Sequence, residues 1–230
     1  MAPTEHLRKV NIGEQATQLT EPFTMMDLVQ IDDLALSVFL CQGSLPFHRH
    51  VDQDELFLVH SGTITVESEW GTVVLRPGEM TVAPKGVGHR TSSLLHSLVL
   101  LLQPRLMVNR RNGDRRLFSV KATGKLEKVT VAAVGRQIAT PFRPVTLADV
   151  DTFALQLTLC RGTGPWWIHE RQNSLVLCHE GDLTVEHESG QLTLERGELV
   201  VVPPRTLYRL SSPGRALVLG VKRHRGPLTG

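Results

Sequence analysis

The sequence predicts an all-β fold in which one strand-built domain occurs twice in tandem. Three observations carry that reading. The chain of 230 residues meets itself without a gap when shifted by 119 positions. Its apolar segments are short, β-rich and bounded by Gly, Pro or Ser. Helical periodicity is weak throughout.

The self-match runs the length of the chain. "LCQG" (Leu40 to Gly43) meets "LCRG" (Leu159 to Gly162), and "HSGTITVESEWG" (from His60) meets "HEGDLTVEHESG" (from His179). "LRPGEMTVAP" (Leu75 to Pro84) meets "LERGELVVVP" (Leu194 to Pro203). Upstream, Lys9-Val10 meets Lys128-Val129 and Pro22-Phe23 meets Pro141-Phe142; downstream, Ser92-Ser93 meets Ser211-Ser212. Such a duplication is the sequence signature of a repeated structural unit. The expected domains are 1–112 and 113–230, with the seam at Asn112-Gly113 in a basic, turn-rich linker.

The elements follow in order. "LVQIDDLA" (Leu28 to Ala35) and its partner "LADVDTFA" (Leu147 to Ala154) read as strand and turn. "LFLVHSG" (Leu56 to Gly62) and "LVLCHEG" (Leu175 to Gly181) are nearly continuous apolar runs, as expected of strands covered on both faces. "TITVES" (Thr63 to Ser68) and "DLTVEH" (Asp182 to His187) alternate apolar with polar, as half-buried strands do. "TVVLRP", "EMTVAP" and "SLVLLL" complete the first copy. Glycines at 62, 71, 78 and 86 close strands before reversals that need positive φ. Many short strands with turn signals imply a sandwich or barrel.

Four residues of the first copy carry chemistry. His48 and His50 are two apart, so a regular strand would put both on one face and turn Arg49 away. Glu55 opens the apolar strand "LFLV", and His89 closes "APKGVGH" after another strand. If separate strands aim these groups into an apolar interior, three imidazoles and a carboxylate there need a partner, and a divalent metal satisfies all four. His60, His96, His169, His179, His187 and His224 are read as satisfied core or surface histidines.

The run Gly43–His48–His50–Glu55–Gly62, followed by Gly78–Pro84–Gly86–His89, resembles the two motifs of the cupin superfamily. The one departure is an asparagine that some members carry after the last histidine. With the repeat, the chain resembles a bicupin. That resemblance implies two tandem jelly-roll barrels and a metal site made by His48, His50, Glu55 and His89. One divalent transition metal per chain is expected, Fe, Mn, Zn, Ni or Cu, most simply Fe(II).

In the second copy the same positions are Trp167, His169, Ser174 and Tyr208, and Gly86 has become Arg205. One ligand of four remains, so no second metal is expected. Trp167 and Tyr208 are expected to plug the space, with Trp166 on the opposite face. The alternative is a dry pocket holding an organic ligand among Trp167, His169, Arg205 and Tyr208.

A net charge of +2 gives no general attraction to nucleic acid, and the basic runs "NRRNGDRR" and "VKRHRG" lack interleaved aromatics. No apolar run reaches membrane-spanning length. Three cysteines without a secretory pattern imply free thiols and a cytoplasmic location. One loaded barrel beside one emptied barrel resembles the ring-cleaving bicupin dioxygenases, whereas the motif context is similar to small cupins grouped with a sugar-phosphate isomerase. The expected function is therefore a metal-dependent enzyme, dioxygenase-like, acting on a small oxygenated or aromatic acid. The alternatives are a sugar isomerase and a non-catalytic ligand sensor. No catalytic side chain beyond the ligands is assigned; Lys85 and Arg90 lie near His89 but read as surface charges. The expected partner is a small molecule, with no nucleic acid or membrane, and the chain is expected to be a monomer or homodimer.

Overall fold

The computed structural model describes residues 7–104 and 124–224. The seam at Asn112-Gly113 and the basic run from Asn109 to Arg116 lie outside the described residues. Along the first copy, β1 (Val10–Asn11) and α1 (Ile12–Ala16) form a short arm. Seven strands follow: β2 (Met25–Ile31), β3 (Leu34–Ser44), β4 (Glu55–Ser61), β5 (Ile64–Ser68), β6 (Gly71–Leu75), β7 (Glu79–Ala83) and β8 (His89–Pro104). The second copy repeats this with an arm of β9 (Val129–Thr130) and α2 (Val131–Gln137). Its strands are β10 (Val145–Val150), β11 (Phe153–Trp167), β12 (Ser174–Glu180), β13 (Leu183–His187), β14 (Gly190–Leu194), β15 (Glu198–Val202) and β16 (Tyr208–Arg223).

The strands form two antiparallel eight-stranded sheets with matching order, β2-β3-β8-β4-β7-β9 and β10-β11-β16-β12-β15-β1; in each, a hairpin (β5–β6 or β13–β14) joins the long last strand. This is the all-β, two-barrel architecture that the repeat predicts. Glu55, Ile64, Gly71, Glu79 and His89 open strands whose equivalents open at Ser174, Leu183, Gly190, Glu198 and Tyr208, each 119 residues on. The apolar runs behave as read. β4 is buried along its first five residues, and β5 alternates buried with half-buried positions. The segment Leu147 to Ala154 is strand, turn and strand, as expected. The two short helices have no counterpart in the sequence reading, because five and seven residues are too few for a 3.6-residue period to show.

One compact unit is Leu19–Val129; the other joins the chain up to Gln18 to the chain from Thr130 on. Each arm therefore completes a barrel made mostly from the other copy. In the second unit β1 pairs with β15, Ile12 N donates to Gly197 O over 3.0 Å, and Lys9 Nζ meets Glu198 at 3.0 Å. In the first unit β9 lies next to β7, Lys128 Nζ meets Glu79 at 3.2 Å, and Thr81 Oγ1 donates to Glu127 O over 2.8 Å. Leu126 enters the first core and Leu7 packs on the second. The Lys9–Glu198 and Lys128–Glu79 pairs, and the places of Leu7 and Leu126, correspond under the shift of 119 residues.

The core of the first unit includes Phe39, Phe57, Val59, Ile64, Val66 and Val99; that of the second includes Val176, Leu183, Val185, Val200 and Val218. Cys41, Cys160 and Cys178 are buried free thiols, and burial pushes them up to about 11, about 12 and about 12. They remain protonated and inert at neutral pH.

Two outcomes follow from the arms. Leu126 is 2 % exposed, so Leu126→Ala costs about 2–5 kcal/mol in chemical denaturation, although it lies outside the copy whose core it fills. Acid should loosen the arms. Burial alone would raise Glu79 and Glu198, but the Arg76 and Glu195 backbone N–H groups and the Lys128 and Lys9 ammoniums outweigh it and hold both below the ordinary 4.5. A depressed carboxyl contributes stability above its unfolded value and loses it as pH falls through the folded one. The protection of the Ile12 amide against hydrogen exchange, relative to its intrinsic rate at each pH, should therefore fall on acidification below pH 4.5, before that of the β4 amides.

Candidate metal centre

Backbone pairing builds the site before any side chain does. His48 and His89 form an isolated antiparallel bridge: His48 N donates to His89 O over 2.9 Å, and His89 N to His48 O over 2.8 Å. Gly86 N donates to His50 O over 2.7 Å, with Gly86 at φ 81°. The His-x-His stretch is thus an extended loop held to the start of β8 rather than the regular strand expected from the sequence. The outcome for orientation is the same. Arg49 turns outward and pairs with Glu69.

The imidazoles of His48, His50 and His89 and the carboxylate of Glu55 converge, each offering a donor atom within 4.8 Å of the others. His89 Nε2 lies 2.9 Å from Glu55 Oε2, and His50 Nε2 lies 3.3 Å from Glu55 Oε1. Ring centroids of His48 and His89 are 4.7 Å apart. His89 and Glu55 are buried, and His48 and His50 are half-buried.

Local hydrogen bonds set the ring nitrogens. His48 Nδ1 donates to Pro46 O over 2.9 Å, and His89 Nδ1 donates to Val87 O over 3.0 Å. A carbonyl accepts only, so both Nδ1 atoms carry a proton; His48 Nε2 presents a lone pair in the neutral ring, and His89 Nε2 does so once the proton it shares with Glu55 is lost. Burial, reinforced by the neighbouring His48 and His89, pushes His50 down despite the opposing charge of Glu55. Burial also acts downward on His89, yet its hydrogen bonds to Glu55 and Val87 win and hold it up.

The residues fit a metal ion. A buried carboxylate whose partners among the described residues are imidazoles, together with two rings whose Nε2 atoms are aimed by carbonyls, is a ligand set into which an ion can enter in place of a proton. Donors about 2.1 Å from a common ion sit at most about 4.2 Å apart, so a small contraction suffices. Three nitrogens and one carboxylate suit several first-row ions and leave coordination positions free.

Beside the site is a cavity of about 120 Å³, lined by His48, Glu55 and Thr91 and by an apolar wall that includes Phe23, Phe39 and Phe57. Phe39 and Phe57 meet edge to face at 6.5 Å, and Phe23 lies against Phe39. Phe23 holds φ at 61°, a conformation that costs energy for a bulky side chain, and is pinned by its N–H to Leu40 O at 2.7 Å. Sequence reasoning missed these three rings; the repeated Pro-Phe at 22–23 and 141–142 was the available signal. Lys85 and Arg90 do not line the cavity; Arg90 pairs with Glu67 at 2.8 Å.

In the second barrel the same positions also converge. Trp167 pairs with Tyr208 in the register of β11 and β16. The rings of Trp167 and Tyr208 meet edge to face at 5.9 Å, and His169 and Tyr208 lie 6.2 Å apart. Ser174 hydrogen-bonds the Tyr208 side chain, as Glu55 does His89. Trp166 faces outward under Arg209, as expected. The expected plug is absent. Trp167 and Tyr208 stand on the wall of a cavity of about 260 Å³, larger than the one beside the metal centre. Arg205, proposed as a wall of such a pocket, does not line it; it lies beside Glu170 at 3.8 Å with 80% of its side chain exposed.

Comparisons with known proteins bear on both barrels. Residues 37–95 match the family described as a cupin domain. An uncharacterized protein, YdbB, of Bacillus subtilis (strain 168) is 27% identical over 94 residues, 40% of this chain and 83% of that protein. Among solved structures, a cupin 2 conserved barrel domain protein from Leptotrichia buccalis superposes with a TM-score of 0.72 at 8% identity, covering 96% of this chain and 98% of that one. Salicylate 1,2-dioxygenase from Pseudoaminobacter salicylatoxidans, in a structure of its adducts with gentisate, gives a TM-score of 0.70 at 12% identity, covering 96% of this chain and 83% of that one. At such identities these structures establish the fold.

Protein purified without chelators should carry about one equivalent of transition metal per chain by elemental analysis. His50→Ala should lose most of it, and His169→Ala should retain it. Loss in the second variant would assign the metal to the wrong barrel.

Proposed function

We propose that this two-barrel cupin is a metal-dependent enzyme of the dioxygenase type, acting on a small, flat, oxygen-bearing organic molecule bound in the first barrel. The observation that carries the reading is the convergence of three imidazoles and one carboxylate, two of which, His48 and Glu55, line a phenylalanine-walled cavity. An ion held by His48, His50, Glu55 and His89 would supply Lewis acidity and, as Fe(II), access to dioxygen chemistry.

The chain's own groups have separable tasks. Pro46 O and Val87 O hold the rings of His48 and His89 in one tautomer and one orientation. Glu55 supplies negative charge that offsets part of an ion's charge in a buried setting. Phe23, Phe39 and Phe57 exclude water from the cavity and offer ring faces and edges to a flat substrate. Among the described residues the polar side chains on the cavity wall are His48, Glu55 and Thr91, so a substrate's oxygens would turn toward the metal centre and its hydrocarbon part toward the phenylalanines. Salicylate 1,2-dioxygenase, named for an aromatic hydroxy acid, shares the fold and lends support to an aromatic substrate. A sugar fits less well, because its hydroxyls would face an apolar wall with few partners.

The test is oxygen uptake by Fe(II)-reconstituted protein with catechol, salicylate, gentisate and a simple β-diketone. At least one should be consumed with matching loss of dioxygen, and His89→Ala should lower the rate by 100-fold or more, on the order expected when a metal ligand is lost. Tight binding of the same compounds without uptake would instead support a ligand sensor.

A further inference from the structure

The cavity of the second barrel persists because two sets of substitutions compensate. Where the first barrel has Phe39, Phe57 and Leu101, the positions 119 residues later are Thr158, Val176 and Gly220. All six line their respective cavities. Bulk has moved from this wall to the positions of the former ligands, where Trp167 and Tyr208 replace His48 and His89. Had the barrel simply lost its metal and closed, large residues would fill both walls. The space of about 260 Å³ corresponds to about nine waters at bulk density, enough for a ligand of one ring.

The lining defines what would fit. Trp167, His169 and Tyr208 form an aromatic wall, and the edge-to-face contact leaves ring surface free for a flat guest. Tyr208 is buried, which raises its hydroxyl above its ordinary value although its bond to Ser174 opposes this, so it stays neutral. Burial, then the nearby Lys222, lowers His169, which is also neutral near pH 7. Among the described residues no carboxylate lines the cavity, and the one formal charge on its wall is Lys222. That cation is an introduced feature. In the first barrel the position is Gln103, whose carbonyl accepts from Gln53 Nε2 over 3.0 Å; in the second, Gln172 keeps its place while Gln103 has become Lys222. Gln156 and Asn173 add amide groups to the same cavity.

We propose that the second barrel is a metal-independent binding site for a small aromatic carboxylate, its ring against Trp167 and Tyr208 and its anionic group toward Lys222. This site is separate from the metal centre, and its occupancy does not depend on what the first barrel catalyses.

The experiment is calorimetric titration of metal-stripped, full-length protein with benzoate, with cyclohexanecarboxylate and benzamide as controls. Benzoate should bind saturably to one site with a Kd of roughly 1 mM or tighter, as its size allows. Replacing the flat aromatic ring by a saturated one, or removing the charge, should each weaken binding about threefold or more. Lys222→Met, at an exposed position, should weaken benzoate about threefold or more while leaving benzamide unchanged. Thr158→Phe, which restores the first barrel's ring, should abolish binding in protein whose circular dichroism matches wild type. The proposal is overturned if benzoate binds only after metal is restored, if Lys222→Met and Thr158→Phe both leave its affinity intact, or if no saturable binding occurs.

Discussion

Two backbone hydrogen bonds between His48 and His89 are the constraint on which the site depends. They tie a loop to the first residue of a strand and so bring residues 41 positions apart in the chain into register. Glu55 and His50 are then carried into range by the strand and the turn on either side. The second barrel keeps the same backbone arrangement with different side chains. Trp167 and Tyr208 pair in register, and Arg205 N donates to His169 O over 2.7 Å as Gly86 does to His50. Arg205 takes φ 63° to do so, a conformation glycine adopts freely and arginine does not. The scaffold has been retained at a local conformational cost while the chemistry it displays has changed.

The two barrels solve the same burial problem differently. In the first, a buried carboxylate sits among imidazoles, an arrangement that is costly without a compensating charge. In the second, the equivalent pair is a phenol and a hydroxyl, neutral and mutually satisfied. The first arrangement calls for a cation; the second needs none and leaves its aromatic surface available.

Much of this was legible in the chain. The 119-residue repeat located the strands, since breaks between apolar runs recur in both copies, and the spacing of His48, His50, Glu55 and His89 singled out the residues that converge. What escaped has physical reasons. The size of the second cavity depends on Thr158, Val176 and Gly220, which lie on three strands and meet only in the folded sheet; Trp167 and Tyr208 alone suggested filling. Arm exchange was hidden by the duplication itself. Lys9 has a chemically equivalent acceptor in Glu79 and in Glu198, so local sequence cannot say which one it meets.

The arms also dictate an order of events as the polypeptide leaves the ribosome. The first barrel lacks its closing edge until Leu126 and Lys128 have been made, beyond its last long strand. The segment around Lys9 waits far longer, because its partner Glu198 follows 189 positions later. Until then its apolar Ile12 must be kept from other surfaces, a vulnerability that belongs to synthesis and disappears from the finished molecule.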